Sequence, residues 1–161
     1  MNRRKFIGTA AAAGAVISVS KRRSAMAQTA KTRKAAQKKS KVQTDKAPKP
    51  VGPYSQAIIA GNTIYVAGQG PIDPKTGRIE VTGIEAQAKQ TFENIKAIVE
   101  AAGSSMANVV KVNIYLADLK DFSKMNEIYR QYFPADYPAR ATVGAQLLLG
   151  MLIEVDCVAV K

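Results

Sequence analysis

The sequence has no histidine, no tryptophan and a single cysteine among its 161 residues. Without histidine, the chain cannot form a Ser-His-Asp or Cys-His nucleophile or a histidine-bound metal site. One cysteine excludes disulfides within the chain, cysteine-cluster zinc sites and iron–sulfur ligation. Cys157 lies on the apolar side of an alternating stretch, which predicts a small buried side chain rather than a reactive thiol. Acid–base chemistry must therefore use carboxylates, tyrosine, lysine or water.

The positive charge of the chain is concentrated near its N-terminus. The net charge is +12, but residues 1–50 hold 14 of the 24 lysines and arginines and only one acid, Asp45. Residues 51–161 are nearly neutral, with a net charge of −1. Specific nucleic-acid binding is therefore not expected of the globular part.

Residues 1–27 have the pattern of an export signal peptide. Asn2-Arg3-Arg4-Lys5-Phe6-Ile7 precedes an alanine- and glycine-rich apolar stretch, and Ala25-Met26-Ala27 fits a cleavage site. The paired arginines resemble a twin-arginine signal, which predicts export through the twin-arginine machinery to the periplasm or the cell exterior. The apolar stretch is too short to be a stable membrane anchor. A basic amphipathic leader is the alternative interpretation.

Residues 28–50 are predicted to be a basic, disordered linker. They hold eight lysines or arginines, and Val42 is their only large apolar side chain. Such a segment cannot bury enough surface to offset the entropy lost on ordering. Weak binding to phosphates is one alternative, but no aromatic side chain is interleaved for stacking on bases. A solvated spacer is the favoured interpretation.

From Val51 onward the pattern predicts a globular domain over residues 51–161. Period-2 and period-3.6 spacing of apolar residues gives the order β-β-α-β-α-β-β. The predicted strands are Ser55–Ala60, Thr63–Ala67, 110–116, about 141–147 and about 152–160; the predicted helices are about Ile84–Ala102 and Asp121–Phe133. This order indicates an α+β fold with two helices on one face of a mixed sheet.

The last two strands are predicted to pair as a hairpin across residues 148–151, with Glu154 opposite Gly144. Alternation places Val143 on the apolar side and puts Arg140 on the polar side with Glu154 and Asp156. Two helices can cover only one face of the sheet. The other face is expected to meet water or another subunit, and an oligomer with sites at its seams is the economical solution.

Seven segments in order resemble the Rid (YjgF-type) family of 2-iminobutanoate/2-iminopropanoate deaminases. They are Gly52-Pro53-Tyr54-Ser55-Gln56, 65–69, Asp73-Pro74-Lys75-Thr76-Gly77, 94–103, 121–126, Pro138-Ala139-Arg140 and Ile153-Glu154-Val155-Asp156. The resemblance covers about residues 47–161. It implies a chorismate-mutase-like fold, a homotrimer with sites in the clefts between subunits, and chemistry that needs no metal or organic cofactor.

The resemblance also implies roles for individual residues. Arg140 corresponds to the arginine that grips the substrate carboxylate, and Glu154 to the glutamate that orients the attacking water. Tyr54 corresponds to a tyrosine lining the cleft, and Asn126 to an asparagine of the second helix. Main-chain contacts to the substrate are implied at two further positions, Gly68 and Thr142.

Two departures from the family pattern concern the same region. Ala67 stands where many deaminating members have serine, which removes a hydroxyl that could bond substrate or water. The Leu148-Leu149-Gly150 connection is one residue shorter than the usual loop, so it could shift Glu154 relative to Arg140.

Three functions fit these observations. The first is hydrolysis of 2-imino or enamino acids to 2-ketoacids and ammonia. The second is a non-catalytic trimer that binds small carboxylates or ketoacids, which Ala67 and the export signal favour. The third is an RNA-cleaving or chaperone-like protein, suggested by older family names and by the basic tail.

Overall fold

The computed structural model describes residues 38–161. The predicted signal peptide, residues 1–27, and the first part of the predicted linker, residues 28–37, lie outside the described residues. The strands are β1 (Ser40–Val42), β2 (Ala57–Ala60), β3 (Thr63–Gln69), β4 (Val109–Leu116), β5 (Ala139–Gly144) and β6 (Ile153–Val160). The helices are α1 (Ile84–Ala101) and α2 (Phe122–Tyr132), and short 3-10 turns span Met106–Asn108, Leu119–Asp121 and Leu148–Gly150.

The six strands form one mixed sheet in the order β1-β2-β3-β6-β4-β5. The β4–β5 pair is parallel, and the other neighbouring pairs are antiparallel. Because α2 connects β4 to β5, these strands form a β-α-β unit, whose strands run parallel. The predicted fold class, an α+β layer with two helices and a mixed sheet, is confirmed.

Helix α1 buries the apolar stripe that its sequence predicts, including Ile84, Ala88, Phe92, Ile95 and Val99. These side chains pack on alternate residues of the strands. The inward-facing strand residues are nearly all fully buried: Ile64, Val112, Ile114, Leu116, Ile153, Val155, Cys157 and Ala159. Cys157 is a free, buried cysteine, as predicted, and burial raises the pKa of its thiol to about 12.

Strand β1 corrects the predicted linker, because residues 40–50 belong to the folded part. Ser40–Val42 pairs with β2, and Val42 is buried. The buried side chain of Gln56 fixes the segment that follows: its Oε1 accepts from the Thr44 amide at 2.7 Å, and its Nε2 donates to the Ala47 and Pro48 carbonyls. Composition predicted disorder here because the partners that hold the segment, strand β2 and Gln56, lie outside it.

The predicted hairpin of the last two strands is wrong. Strand β5 lies at the edge of the sheet beside β4, whereas β6 lies between β3 and β4. Consequently Glu154 is not opposite Gly144; it pairs with Tyr115, while Gly144 pairs with Leu116. The length of the 148–150 turn therefore does not set a register between these two strands.

The predicted faces of β5 are reversed for the same reason. Arg140 pairs with Val112 and Thr142 pairs with Ile114, so both point to the helix-covered face. Val143 pairs with Tyr115 and lies on the opposite, open face with a side chain that is 47% exposed. Arg140 and Glu154 thus lie on opposite faces of the sheet within one chain.

The open face carries apolar and aromatic side chains that no part of residues 38–161 covers. It includes Tyr65, which is 52% exposed, together with Val143, Ile58 and Val158. Such a surface is typical of a subunit interface. Neither helix of the described part is both long enough and apolar enough to cross a membrane.

Candidate active site

Arg140 forms the centre of an open cleft between β5 and α2, here called the cationic half-site. Its other lining residues are Asn126, Tyr129, Arg130, Tyr137 and Pro138, and the cleft holds about 440 Å³. The guanidinium lies over the ring of Tyr129, at 4.6 Å from the centroid, and Nη1 donates to Oδ1 of Asn126 at 2.8 Å. An amide and an aromatic ring from one helix therefore fix the guanidinium in place.

The charge of Arg140 is not neutralised within residues 38–161. The two salt bridges in that part of the chain join Lys120 to Asp118 and Lys124 to Glu85. A half-buried guanidinium whose partners are an amide and two aromatic rings, with no carboxylate among them, is suited to bind an anion. Its planar, two-pronged donor group matches a carboxylate best.

Three buried hydroxyls lack hydrogen-bond partners within the described part of the chain, and two of them belong to the elements that hold Arg140. These two are the Oγ1 of Thr142, in the strand that carries Arg140, and the hydroxyl of Tyr129. Burial raises the pKa of Tyr129 to about 12, although the charge of Arg140 acts in the opposite direction. Tyr129 therefore stays neutral and can act as a donor or an acceptor at neutral pH.

Glu154 lies in a second cleft of about 300 Å³, here called the acidic half-site, which Tyr54, Gly68 and Gly70 also line. The carboxylate of Glu154 lies directly against Gly68: a Cβ added there would overlap Oε1 and lie 3.1 Å from Cδ. Glycine at this position in β3 therefore leaves the space that the Glu154 carboxylate occupies.

Burial raises the pKa of Glu154, and the negative charge of Asp156 on the same face raises it further. Asp156 itself is held by two donors, the Nδ2 of Asn113 and the hydroxyl of Tyr115, each at 2.9 Å. These two bonds fix the position of the Asp156 carboxylate, and its charge raises the pKa of Glu154. A carboxyl group with a raised pKa exchanges protons more readily near neutral pH than an ordinary glutamate does.

Side chains from α1 and β3 support the floor of the acidic half-site. The buried Asn94 donates to the carbonyls of Gly70 at 3.0 Å and Ile72 at 2.9 Å. Gln69 donates to the Gly68 carbonyl at 3.0 Å. These bonds hold the segment that passes under Glu154.

The structure divides the six predicted site residues into two groups. Arg140, Asn126 and Thr142 lie on the helix-covered side, and Tyr54, Gly68 and Glu154 belong to the acidic half-site. A single chain does not bring the two groups together. Asn126 bonds Arg140 directly, so its first effect is to orient the guanidinium.

Sequence reasoning missed several residues of the two half-sites. Tyr129 lies under the guanidinium of Arg140, and its position one helical turn after Asn126 is the sequence signal that could have identified it. Tyr137 lines the cationic half-site, and Met151 lines the acidic one. Nothing in the pattern of the sequence marks Met151 apart from a core residue.

The two departures noted in the sequence both fall in the acidic half-site. Ala67 lines the cleft and offers only its backbone, whose amide donates to the Gln56 carbonyl at 3.0 Å. The 148–150 connection forms a tight 3-10 turn in which Leu149 has φ 57° and Gly150 has φ 71°. Within residues 38–161, no cluster of three or more potential metal ligands occurs.

Residues 44–161 match the family model described as Endoribonuclease L-PSP. A RutC family protein from Pyrococcus horikoshii is 55% identical over 119 residues, which cover 73% of this chain and 94% of the relative. The human 2-iminobutanoate/2-iminopropanoate deaminase is 45% identical over 121 residues, 74% of this chain and 88% of the relative. The crystal structure of RidA from an Antarctic Psychrobacter species has a TM-score of 0.74 and 47% identity, covering 76% of this chain and 99% of that one.

Proposed function

This chain belongs to the Rid family, matched as Endoribonuclease L-PSP, and from that premise we propose that it is a cofactor-independent deaminase of 2-imino and enamino acids. The observation that carries the proposal is a pair of complementary clefts. One presents an unneutralised arginine, and the other presents a carboxylate with a raised pKa. The name of the human relative supports the same reaction.

The complete site is formed between subunits of a homotrimer. Arg140 lies in the edge strand β5 on the helix-covered side, whereas Glu154 lies on the open face. Arg140 of one subunit therefore meets Glu154 of its neighbour when the β5 edge of one subunit packs against the open face of the next. The exposed apolar side chains of the open face, such as Tyr65 and Val143, favour this association. Cyclic assembly repeats the same contact three times.

In this site Arg140 binds the carboxylate of the imino acid, with Asn126 holding the guanidinium. The carboxylate of Glu154 takes a proton from water as the water oxygen bonds to the imine carbon, and the proton passes to the imine nitrogen. The product of this step is a carbinolamine. Glu154 then moves the hydroxyl proton to nitrogen as the carbon–nitrogen bond breaks, which releases ammonia and leaves the ketoacid.

The test uses imines made in the assay. An amino-acid oxidase generates 2-iminobutanoate, and ketoacid release is followed with wild type, Arg140→Ala, Glu154→Gln and the control Arg78→Ala, which changes an exposed arginine outside both half-sites. Wild type and the control should accelerate hydrolysis, and the two site variants should not. Absence of acceleration by wild type would exclude the deaminase.

Mixing the two inactive variants tests the location of the site. If Arg140 and Glu154 come from different subunits, random assembly of equal amounts restores both residues in about one quarter of the sites. If both came from one chain, mixing would restore no activity. Recovery after unfolding and refolding the mixture is therefore the expected result.

A non-catalytic carboxylate-binding trimer is the second candidate, and Ala67 favours it because the acidic half-site has no hydroxyl at that position. Calorimetry with 2-oxobutanoate distinguishes the two. Ketoacid binding that needs Arg140, without any acceleration of imine hydrolysis, would support this candidate against the deaminase.

We also propose that the protein is exported through the twin-arginine machinery and acts in the periplasm or outside the cell. The proposal rests on Arg3-Arg4 and on Ala25-Met26-Ala27 in the sequence. Cell fractionation with N-terminal sequencing tests it, with Arg3→Lys/Arg4→Lys as the variant. Uncleaved wild-type chain in the cytosol would contradict export.

A further inference from the structure

The two half-sites differ in the chemistry of their linings. The cationic half-site presents two arginines and an amide, whereas the acidic half-site has one carboxylate and is otherwise mostly apolar. The large aliphatic and thioether side chains of its lining are those of Val51, Ile72, Leu148, Leu149 and Met151. A molecule that spans both clefts therefore contacts the arginines and the amide of the cationic half-site at one end and the apolar side chains of the acidic half-site at the other.

Leu148 and Leu149 form an apolar lip on the acidic half-site. Their side chains are 74% and 70% exposed, although both border the cleft that holds Glu154. Leu149 also has φ 57°, a left-handed conformation that is unfavourable for a residue other than glycine. The chain thus keeps two large apolar side chains beside the reactive carboxylate at a cost to its own stability.

The floor of the cleft beneath this lip is formed at two positions by glycines, Gly68 and Gly70, which have no side chains to fill it. A Cβ added at Gly70 would overlap the Sδ of Met151, just as one at Gly68 would overlap Glu154. Two residues without side chains therefore let the carboxylate and the thioether lie flat against β3 and its extension. The space above them is bounded by the thioether and the leucine lip.

We propose that the Leu148–Leu149 lip, with Met151 and Ile72, binds the side chain of the substrate and gives the protein a preference for imino acids with long apolar side chains over 2-iminopropanoate. The inference rests on the proposed deaminase function. With the carboxylate on Arg140 and the imine carbon at Glu154, the remaining substituent of that carbon points into this apolar lining.

The expected preference follows from the hydrophobic effect. Each methylene removed from water contributes about fourfold to binding, so a four-carbon side chain with three additional buried carbons gains at least about tenfold in kcat/KM over one methyl group. A longer side chain raises the uncatalysed rate by no comparable factor, so acceleration over the enzyme-free reaction is the quantity to compare.

The assay generates imines from alanine, 2-aminobutyrate and norleucine with an amino-acid oxidase. Leu148→Ala and Leu149→Gly remove the lip one side chain at a time, and glycine fits the positive φ at position 149 without strain. Leu119→Ala is the matched control, since Leu119 is an exposed leucine, 56% accessible, outside both half-sites.

In each lip variant the preference for the norleucine imine over the alanine imine should fall at least about threefold. The control should keep the preference of wild type. An equal rate of acceleration for all three imines in wild type, or an equal loss for all of them in the variants, would overturn the inference. So would dissociation of the lip variants in sedimentation, because the lip would then be a subunit contact.

Failure of the deaminase itself is distinguished by ligand binding. Calorimetry compares pyruvate with 2-oxohexanoate on the wild-type protein. In one outcome, the protein accelerates the hydrolysis of no imine over the enzyme-free rate and still binds 2-oxohexanoate at least about tenfold more tightly than pyruvate. That result would support the apolar subsite and refute the deaminase reaction. Equal binding of the two ketoacids would refute the subsite whatever the activity.

Discussion

Replacing Gly68 by alanine should remove activity while leaving the fold intact. The new Cβ would overlap Oε1 of Glu154 and lie 3.1 Å from its Cδ. The carboxylate must therefore move by about 1 Å or more, and a misplacement of that size can cost about a hundredfold in rate. The atoms displaced are the end of a flexible side chain, so the free energy of unfolding should change by no more than about 1 kcal/mol.

The assay is kcat/KM for imine hydrolysis, measured beside thermal unfolding. Gly70→Ala is the matched control, because its Cβ would overlap the Sδ of Met151 instead of the carboxylate. Its loss of activity should be at least about tenfold smaller than that of Gly68→Ala. Full activity of a normally folded Gly68→Ala variant would show that the position of Glu154 does not control the reaction.

Three further predictions address charge and assembly. Arg140→Lys keeps the charge but loses the two-pronged donor geometry, so KM should rise by about 10–100-fold with a smaller change in kcat; an unchanged KM would contradict carboxylate binding there. Asp156→Asn removes a charge that raises the pKa of Glu154, so the pH below which kcat/KM falls should move lower; a shift to higher pH, or none, would refute the coupling. Val143→Glu places a charge on the open face, so sedimentation should show smaller species and activity should fall with assembly; an intact, active trimer would contradict the proposed interface.

The sequence by itself determined the element types and the chemical limits of the protein. Helix α1 and strand β4 follow local periodicity, in which apolar residues recur at 3.6 or 2 positions, and that pattern depends only on neighbours along the chain. The absence of histidine confined the chemistry to carboxylates, tyrosine, lysine or water. The order of motifs identified the family, which the match over residues 44–161 confirms.

The segment around Gln56 shows why the composition of a short stretch does not predict whether it is folded. Residues 40–50 look disordered by composition, but their backbone groups bond to one buried glutamine that follows them in sequence. Hydrogen bonds of this kind depend on a partner outside the segment. The sequence of residues 40–50 taken alone therefore cannot predict these hydrogen bonds.

The tertiary structure decided which faces the site residues occupy. Alternation along β5 gives Arg140 and Val143 opposite sides, but it does not tell which side the helices cover. That choice depends on the pairing partner, and the parallel partner β4 reverses the assignment made from an antiparallel hairpin with β6. Arg140 and Glu154 are therefore separated by the sheet, because strand pairing is a contact between distant segments that local sequence does not encode.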